Sequence, residues 1–306
     1  MKQLIKECAV VGISLFLIPI IIIYSSGYNR QNILTEIRAE QVGQVEQEAT
    51  LLDESLIMPI LAKEISYKYE YEAIKAQAVI IRTYMARRAL GMQVKAELSG
   101  YTEEEMKQLW QNEYESIYEM YKEAIEETSD EMMFYNRQPI QPLYHKSNGG
   151  LTRNAKDVYD IEVPYLVSVE SQDETNNTQM KLSKNSIVEA LSKKYPELVA
   201  DEKNLENQIQ IIEKDEAGYI KSIQVGNVIL SGEAFKTLLG LESSNFRIYL
   251  SGDHFIFDVI GSGRGLGLSQ NGANEMAKQG KNYKDILAYY YSGIEIKTYN
   301  EVSKNN

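Results

Sequence analysis

The sequence has few of the side chains that bind metals or form disulfides. Its 306 residues include one cysteine, Cys8, and two histidines, His145 and His254. One cysteine excludes an intramolecular disulfide and any CxxC motif. Two isolated histidines offer no thiolate or multi-histidine zinc site. We therefore predict that the protein holds neither a metal ion nor another cofactor.

Positive charge is also scarce. The chain has 32 Lys and Arg but 44 Asp and Glu, which gives a net charge of −12. Nucleic acids need a basic face that releases counterions, so nucleic acid is excluded as a partner. No Gly-Lys-Ser/Thr triplet is present, which excludes a P-loop. A dinucleotide fingerprint is disfavoured too, since too little chain follows the Gly-rich stretch at 261–280 to complete a βαβ unit.

A long apolar run occurs at the N-terminus. Residues 8–24 (CAVVGISLFLIPIIIIY) carry no charge, and Lys2 and Lys6 precede them. The run is at the short end of the range that spans a bilayer. A signal peptide is the alternative, but Ile23 and Tyr24 break the small-residue pattern of a cleavage site. We predict an uncleaved anchor over residues 1–27, with a cytoplasmic N-terminus and the rest outside the cell membrane.

The remaining patterns predict an α+β fold. Residues 28–50 are predicted to be a juxtamembrane segment, residues 51–300 one mixed α/β extracytoplasmic domain with room for two lobes around a groove, and residues 301–306 a tail. Apolar residues recur at helical spacing from 70 to 90, and Thr102 and Glu105 have the spacing of a capping box. Further helices are predicted at 182–200 and 232–241. Strands are predicted at 131–136, 138–147, 163–171 and 245–261, with a hairpin over 205–230.

The Gly-rich stretch GSGRGLGLSQNGANEMAKQG (261–280) allows two interpretations. Dense glycines let a backbone approach a ligand and expose its N–H groups to it, and the helix that follows would present its N-terminus to the same ligand. Alternatively, the glycines serve only a reversal of the chain. The residues by themselves favour neither.

Glu64 is the candidate acid. It precedes a helix rich in small residues, on which Lys75 and Arg82 are seven positions apart and share a face. A carboxylic acid facing a glycosidic oxygen is the minimum equipment for cleaving a glycan. The ordinary alternative is a solvated surface ion pair. His145 and Ser147 could be base and nucleophile, but no acidic residue that would orient the histidine is recognisable.

Four stretches carry a resemblance to a known family: EAIKAQAVIIRTY (72–84), YHKSNGGLT (144–152), DVYDIEVPYLVSVESQD (157–173) and GRGLGLSQNGANEMAKQGKNYKDILAYYYSGIEI (263–296). They resemble the stage II sporulation protein D family, also called SpoIID/LytB, and occur in the family's order. The resemblance covers about residues 52–300. One departure is Arg264, which occupies the position of a family histidine, so a role that requires a neutral imidazole there is lost.

The resemblance implies a membrane-anchored lytic transglycosylase of peptidoglycan that acts in engulfment during endospore formation. It implies Glu64 as the catalytic acid, and peptidoglycan, an amidase and a polytopic membrane scaffold as partners. With the motifs above it predicts a substrate-binding set: Lys75, Arg82, His145, Tyr165, Asp173, Arg264, Gly265, Gly267, Ser269 and Gln270.

The predicted reaction cleaves the MurNAc–GlcNAc bond and leaves a 1,6-anhydro-MurNAc end. One acid/base group suffices, because the C6 hydroxyl of the same MurNAc is the nucleophile. Related domains are described as amidase enhancers, so a glycan-binding activator without catalysis is the main alternative. A purely structural septal protein is a third. An activator needs the groove but not the acid, so Glu64 discriminates between the first two.

Overall fold

A computed structural model describes residues 54–92, 98–172 and 177–298. The predicted anchor (1–27), the juxtamembrane segment (28–50), Asp173 and the tail (301–306) lie outside these ranges. Across the three ranges, none of the helices combines the length and the apolarity needed to cross a membrane.

The described chain separates into two units, each with its own dense internal packing. We call residues 177–261 the inserted unit. The main unit comprises the described residues on either side, 54–172 and 262–298. Both units combine helices and strands, which confirms the mixed α/β class predicted from the sequence.

The main unit begins with helices and continues with short strands. A 3-10 turn over Glu54–Leu56 leads into the first helix. The elements are α1 (Ile57–Glu64), α2 (Tyr71–Ala89), α3 (Glu103–Trp110), α4 (Tyr114–Glu127), β1 (Glu131–Tyr135), β2 (Gln138–Pro139), β3 (Tyr144–His145) and α5 (Ala155–Tyr159).

The inserted unit follows with two three-stranded sheets, ordered β4-β9-β8 and β5-β6-β7. The pairings are antiparallel. The inner faces of the sheets and the two helices share one apolar core that includes Phe235, Phe246 and Phe257. The elements are β4 (Asn177–Ser183), α6 (Lys184–Lys194), β5 (Ile209–Lys214), β6 (Ile220–Val225), β7 (Val228–Ser231), α7 (Gly232–Leu239), β8 (Phe246–Ser251) and β9 (His254–Ile260).

The chain then returns to the main unit and completes two of its pairings. These last elements are β10 (Leu268–Ser269), α8 (Gln270–Lys278), α9 (Tyr283–Tyr290) and β11 (Glu295–Thr298). Strand β11 joins β1 and β2 in the order β11-β1-β2, and β10 pairs with β3. The N-terminal and C-terminal parts of the main unit are therefore joined by strand pairing.

Helix α2 is the central element of the main unit. Its small and β-branched side chains, from Ala73 to Ile81, are buried, and the helix contacts α1, α4, α8, α9 and β1. Alanines at 73, 76 and 78 allow this close approach of neighbouring backbones. The buried helix predicted over 70–90 is confirmed, as are the capping box of Thr102 with Glu105 and the hairpin within 205–230.

The strand predicted at 163–171 is wrong. This segment makes only an isolated bridge between Glu170 and Leu151. Its backbone instead bonds a loop, with Val169 accepting from Thr152 N at 2.9 Å and Leu166 accepting from Ala155 N at 2.9 Å. The β-prone residues therefore lie in an irregular segment that includes a turn and in which Tyr165 and Leu166 are buried. Local periodicity does not distinguish such a segment from a strand.

Candidate functional site

Glu64 is the last residue of α1, and the helix stops sharply after it. Ile65 leaves the helix in an extended conformation (φ −132°, ψ 139°). Its N–H still donates to Leu61 O at 3.1 Å, and its carbonyl accepts from the Tyr121 hydroxyl at 2.6 Å. The Glu64 side chain is half-buried. The helix end thus presents one carboxylate at a defined position beside solvent.

Two distant side chains hold this glutamate. The Tyr144 hydroxyl donates to Glu64 Oε2 at 2.5 Å. The Gln270 amide donates to the Glu64 carbonyl at 2.8 Å and to Gln77 Oε1 at 3.2 Å. Burial, followed by the charge of the Glu64 carboxylate, raises the pKa of Tyr144 far above its usual range. The Tyr144 hydroxyl therefore keeps its proton and donates it in the hydrogen bond to Glu64.

The Gly-rich segment brings Tyr144 and Gln270 to the same place. Strands β3 and β10 run parallel, with Leu268 opposite Tyr144. Gly267 has φ +68°, and a Cβ there would overlap the carbonyl oxygen of Leu143. Ser269 then caps α8 by accepting from Gly272 N at 3.2 Å, and Gln270 is the first helical residue. The glycine is needed for backbone-to-backbone approach within the protein itself.

The earlier part of the same segment lies against the residues that follow β3. Ser147 and Ser262 exchange two backbone hydrogen bonds, of 3.2 and 3.0 Å. Gly263 has φ +108°, and a Cβ there would come within 2.7 Å of the His145 Cβ. Gly265 is buried, and its carbonyl accepts from Arg153 N at 2.7 Å. The side chain of Arg264 is exposed.

His145 is a buried, neutral packing residue. It is 4% exposed. Its Nδ1 contacts Leu266 O at 3.1 Å and its Nε2 contacts the Asn148 amide at 3.2 Å, so Nδ1–H is the donor and Nε2 the acceptor. Burial lowers the pKa of His145 to about 4, against a smaller opposing effect of the hydrogen bond to Leu266. Among the described residues Ser147 Oγ has no hydrogen-bond partner, so the structure holds no Ser–His pair here.

Lys75 is buried, but the two glutamates that pair with it are partly exposed. Its Nζ lies 2.6 Å from Glu72 Oε1 and 3.1 Å from Glu127 Oε2, between the rings of Tyr71 and Tyr283 at 5.0 and 5.1 Å. Burial opposes its charge, but the hydrogen bonds to the two glutamates outweigh burial and raise the pKa of Lys75. Lys75 therefore joins α2 to α4, and its ammonium already has two carboxylate partners.

The structure contradicts a substrate contact by Arg82. Its side chain is fully buried. Nε and Nη2 donate to the two Glu54 carboxylate oxygens at 2.7 and 3.1 Å. Nη1 donates to Thr128 O at 2.7 Å and Nη2 to Ile125 O at 3.2 Å. Sequence reasoning placed Arg82 on the face of Lys75 correctly, but this face points into the protein.

Tyr165 is also inside the main unit. It is 3% exposed, its hydroxyl accepts from Gln141 N at 3.1 Å, and its ring lies 5.6 Å from that of Tyr135. Its role in the site is to support the chain segment that leads into β3. Asp173, from the same motif, lies outside the described residues.

Sequence reasoning missed three residues of the Glu64 site: Tyr144, Gln77 and Asn271. Asn271 accepts from the Tyr69 hydroxyl at 2.5 Å and so ties the loop after Glu64 to α8. A signal existed, because all three lie inside stretches that were singled out as motifs. Within the described ranges, no group of three or more His, Cys, Asp or Glu could hold a metal ion.

Comparison with known proteins finds relatives for this chain. The family described as Stage II sporulation protein matches residues 41–135. Stage II sporulation protein D of Bacillus subtilis is 28% identical over 260 residues, which cover 79% of this chain and 74% of that protein. An uncharacterised protein of Brachyspira hyodysenteriae is 30% identical over 260 residues, 82% of this chain and 68% of that protein.

A more distant relative carries a different name. The amidase enhancer of Bacillus subtilis is 22% identical over 301 residues, which cover 78% of this chain and 40% of that protein. Three of the four stretches that resemble the sporulation family supply side chains at Glu64, namely Gln77, Tyr144 and Gln270. The chain belongs to the stage II sporulation protein D family.

Proposed function

We propose that this protein is a peptidoglycan lytic transglycosylase of endospore formation and that Glu64 is its acid/base. The observation that carries the proposal is that two distant side chains fix Glu64, one through its half-buried carboxylate and one through its backbone carbonyl. Side chains 80 and 206 positions away along the chain bond Glu64 directly. Positioning of this kind is what a catalytic acid requires.

The geometry suits a single group that gives and then recovers a proton. Tyr144 donates to Oε2, which leaves Oε1 of Glu64 to carry the proton. Glu64 would protonate the glycosidic oxygen as the bond from MurNAc C1 to that oxygen breaks. The C6 hydroxyl of the same MurNAc then bonds to C1, and its proton returns to the Glu64 carboxylate. The hydrogen bond from Tyr144 stabilises the carboxylate between these two steps.

Location and partners belong to the same proposal. A predicted anchor over residues 1–27 would hold the described units on the side of the membrane where peptidoglycan lies. One relative is named an amidase enhancer, which supports a peptidoglycan amidase as a partner. The same name favours a second candidate function, in which this chain binds glycan and activates an amidase without cleaving the strand.

Substitution of Glu64 by Gln distinguishes the two functions. Glu64→Gln preserves shape but cannot donate a proton, so cleavage of glycan strands should fall about 10²- to 10⁴-fold. Tyr144→Phe removes one hydrogen bond to a charged group, so cleavage should fall about 10- to 100-fold. Full-length chain in detergent is incubated with purified strands, and 1,6-anhydro-MurNAc ends are counted by mass spectrometry.

Folding is checked for both variants by circular dichroism. Wild-type rates in Glu64→Gln would show that Glu64 is not the acid. If the wild type forms no anhydro ends, and both it and Glu64→Gln accelerate a purified amidase equally, the activator function replaces the transglycosylase.

A further inference from the structure

Lys146 has its backbone fixed within the shell of residues that holds Glu64. The Lys146 carbonyl accepts a hydrogen bond from Asn271 N at 3.0 Å. Gln270, which precedes Asn271 in the chain, donates to the Glu64 carbonyl. On the other side, Tyr144 is two positions before Lys146 and bonds the Glu64 carboxylate. Two independent connections therefore place the backbone of residue 146 within one or two residues of the side chains that bond Glu64.

The side chain of Lys146 differs from those of its neighbours. His145 and Ser147 are buried, whereas Lys146 is exposed. In the part of the chain that the structure describes, its ammonium has no hydrogen bond or ion pair. An exposed lysine stem keeps its rotamer freedom and can reach a ligand with a point charge.

Three other cations, which were predicted to bind substrate or are next to Glu64 in sequence, already have partners within the protein. Arg82 is buried against Glu54, and Lys75 lies between two glutamates. Lys63, next to the acid in sequence, donates to Ser99 Oγ at 2.7 Å. In a chain with net charge −12, an exposed cation without a protein partner beside the candidate acid matches a negative group on the substrate.

We propose that Lys146 is a substrate-binding residue that pairs with a carboxylate on the muramoyl side of the bond to be cleaved. This inference rests on the proposed action on peptidoglycan. The lactyl group of MurNAc ends in a carboxyl carbon, which is a free carboxylate in a bare strand and an amide in a peptide-bearing strand. Stem peptides carry carboxylates of their own. Both sources offer the same chemistry, and Lys146 would bind either through a charge-assisted hydrogen bond.

The test measures binding separately from cleavage. All variants are made in the full-length Glu64→Gln chain, and affinity is measured for three purified strands: bare, bare with the lactyl carboxylate reduced to an alcohol, and peptide-bearing. Lys146→Gln should weaken binding about fivefold, as expected for a pair that remains partly hydrated, and Lys146→Arg should restore it. Lys146→Glu should weaken binding further than Lys146→Gln does. Lys193→Glu is its control, because Lys193 is exposed on α6 and the two substitutions change the net charge equally.

The three strands identify the source of the carboxylate. If Lys146→Gln loses affinity for the bare strand but not for the strand with the reduced lactyl group, Lys146 pairs with the lactyl carboxylate. If Lys146→Gln loses affinity only for the peptide-bearing strand, Lys146 pairs with the carboxylates of the stem peptide. Equal affinities of Lys146→Gln, Lys146→Glu and the parent for all three strands would overturn the proposal. Because binding is read without turnover, absence of anhydro products in the wild type would refute the transglycosylase and leave this result interpretable.

Discussion

Arg82 provides the sharpest test of how the main unit is held together. The substitution is Arg82→Met, which keeps an unbranched stem and removes the guanidinium. The buried guanidinium bonds both oxygens of Glu54 and the carbonyls of Thr128 and Ile125. It thereby joins α2 to the 3-10 turn before α1 and to the end of α4. Its loss should unfold the main unit at lower temperature rather than remove a substrate contact.

The expected loss of stability follows from how exposed the Arg82 and Glu54 side chains are. Removing one partner of a fully buried ion pair costs about 3–5 kcal/mol. The Glu54 side chain is 37% exposed, so water recovers part of its hydration and the lower end, about 3 kcal/mol, applies. For a protein of this size, about 2–4 °C is lost per kcal/mol. Arg82→Met should therefore lower the midpoint of thermal unfolding by about 6–12 °C.

Trp110 makes this measurement specific for the main unit. It is the single tryptophan of the chain, it is 4% exposed, and its ring lies 5.7 Å from that of Tyr121 on α4. Its fluorescence therefore follows unfolding of the helices that Arg82 joins. Arg82→Lys is the matched control, because it keeps the charge but not the planar guanidinium. Its midpoint of thermal unfolding should fall less than that of Arg82→Met. A midpoint for Arg82→Met within 2 °C of the wild type, together with lost glycan binding, would refute this account.

Two further predictions concern the segment that joins β3 and β10. Gly267→Ala would drive a Cβ into Leu143 O, whereas Gly280→Ala shares a positive φ but meets nothing within 4 Å; we expect a much larger loss of Trp110-detected stability for Gly267→Ala, and equal losses would contradict the close approach. His145 has a folded pKa of about 4, below its unfolded value of 6.5, because burial opposes its charge. Below pH 6.5 the unfolded chain binds a proton that the folded chain does not, so the free energy of unfolding should fall by about 3 kcal/mol between pH 6.5 and 4. The free energy of unfolding, measured with urea at several pH values in this range, should depend less on pH in His145→Gln than in the wild type. An equal pH dependence in the two proteins would contradict this prediction.

Local patterns predicted much of the fold. The spacing of apolar residues located α2, and the Ser/Thr-x-x-Glu pattern at Thr102 located the start of α3. These succeed because a helix period or a cap involves residues within one or two turns of each other. The strand predicted at 163–171 failed because a strand needs a partner, and the partner here is a loop.

The candidate site divides in the same way. Motif resemblance selected Glu64, but not the hydroxyl of Tyr144 that bonds it. It also selected Lys75 and Arg82, whose shared helix face turns toward α4 and its glutamates and carbonyls. Which side of a helix meets solvent depends on the elements packed around it, and these come from segments far along the chain.

The sequence by itself determined the chemical inventory: no disulfide framework, a net negative charge, glycines at 263, 265 and 267, and a glutamate before a helix rich in alanine. Only the tertiary structure decided what these residues do for each other. In the folded chain, Gly267 allows β10 to approach β3. This approach places Tyr144 and Gln270 next to Glu64. The reason is physical: steric and conformational limits act between neighbours in sequence, whereas hydrogen bonds and burial act between neighbours in space, which the folded chain alone brings together.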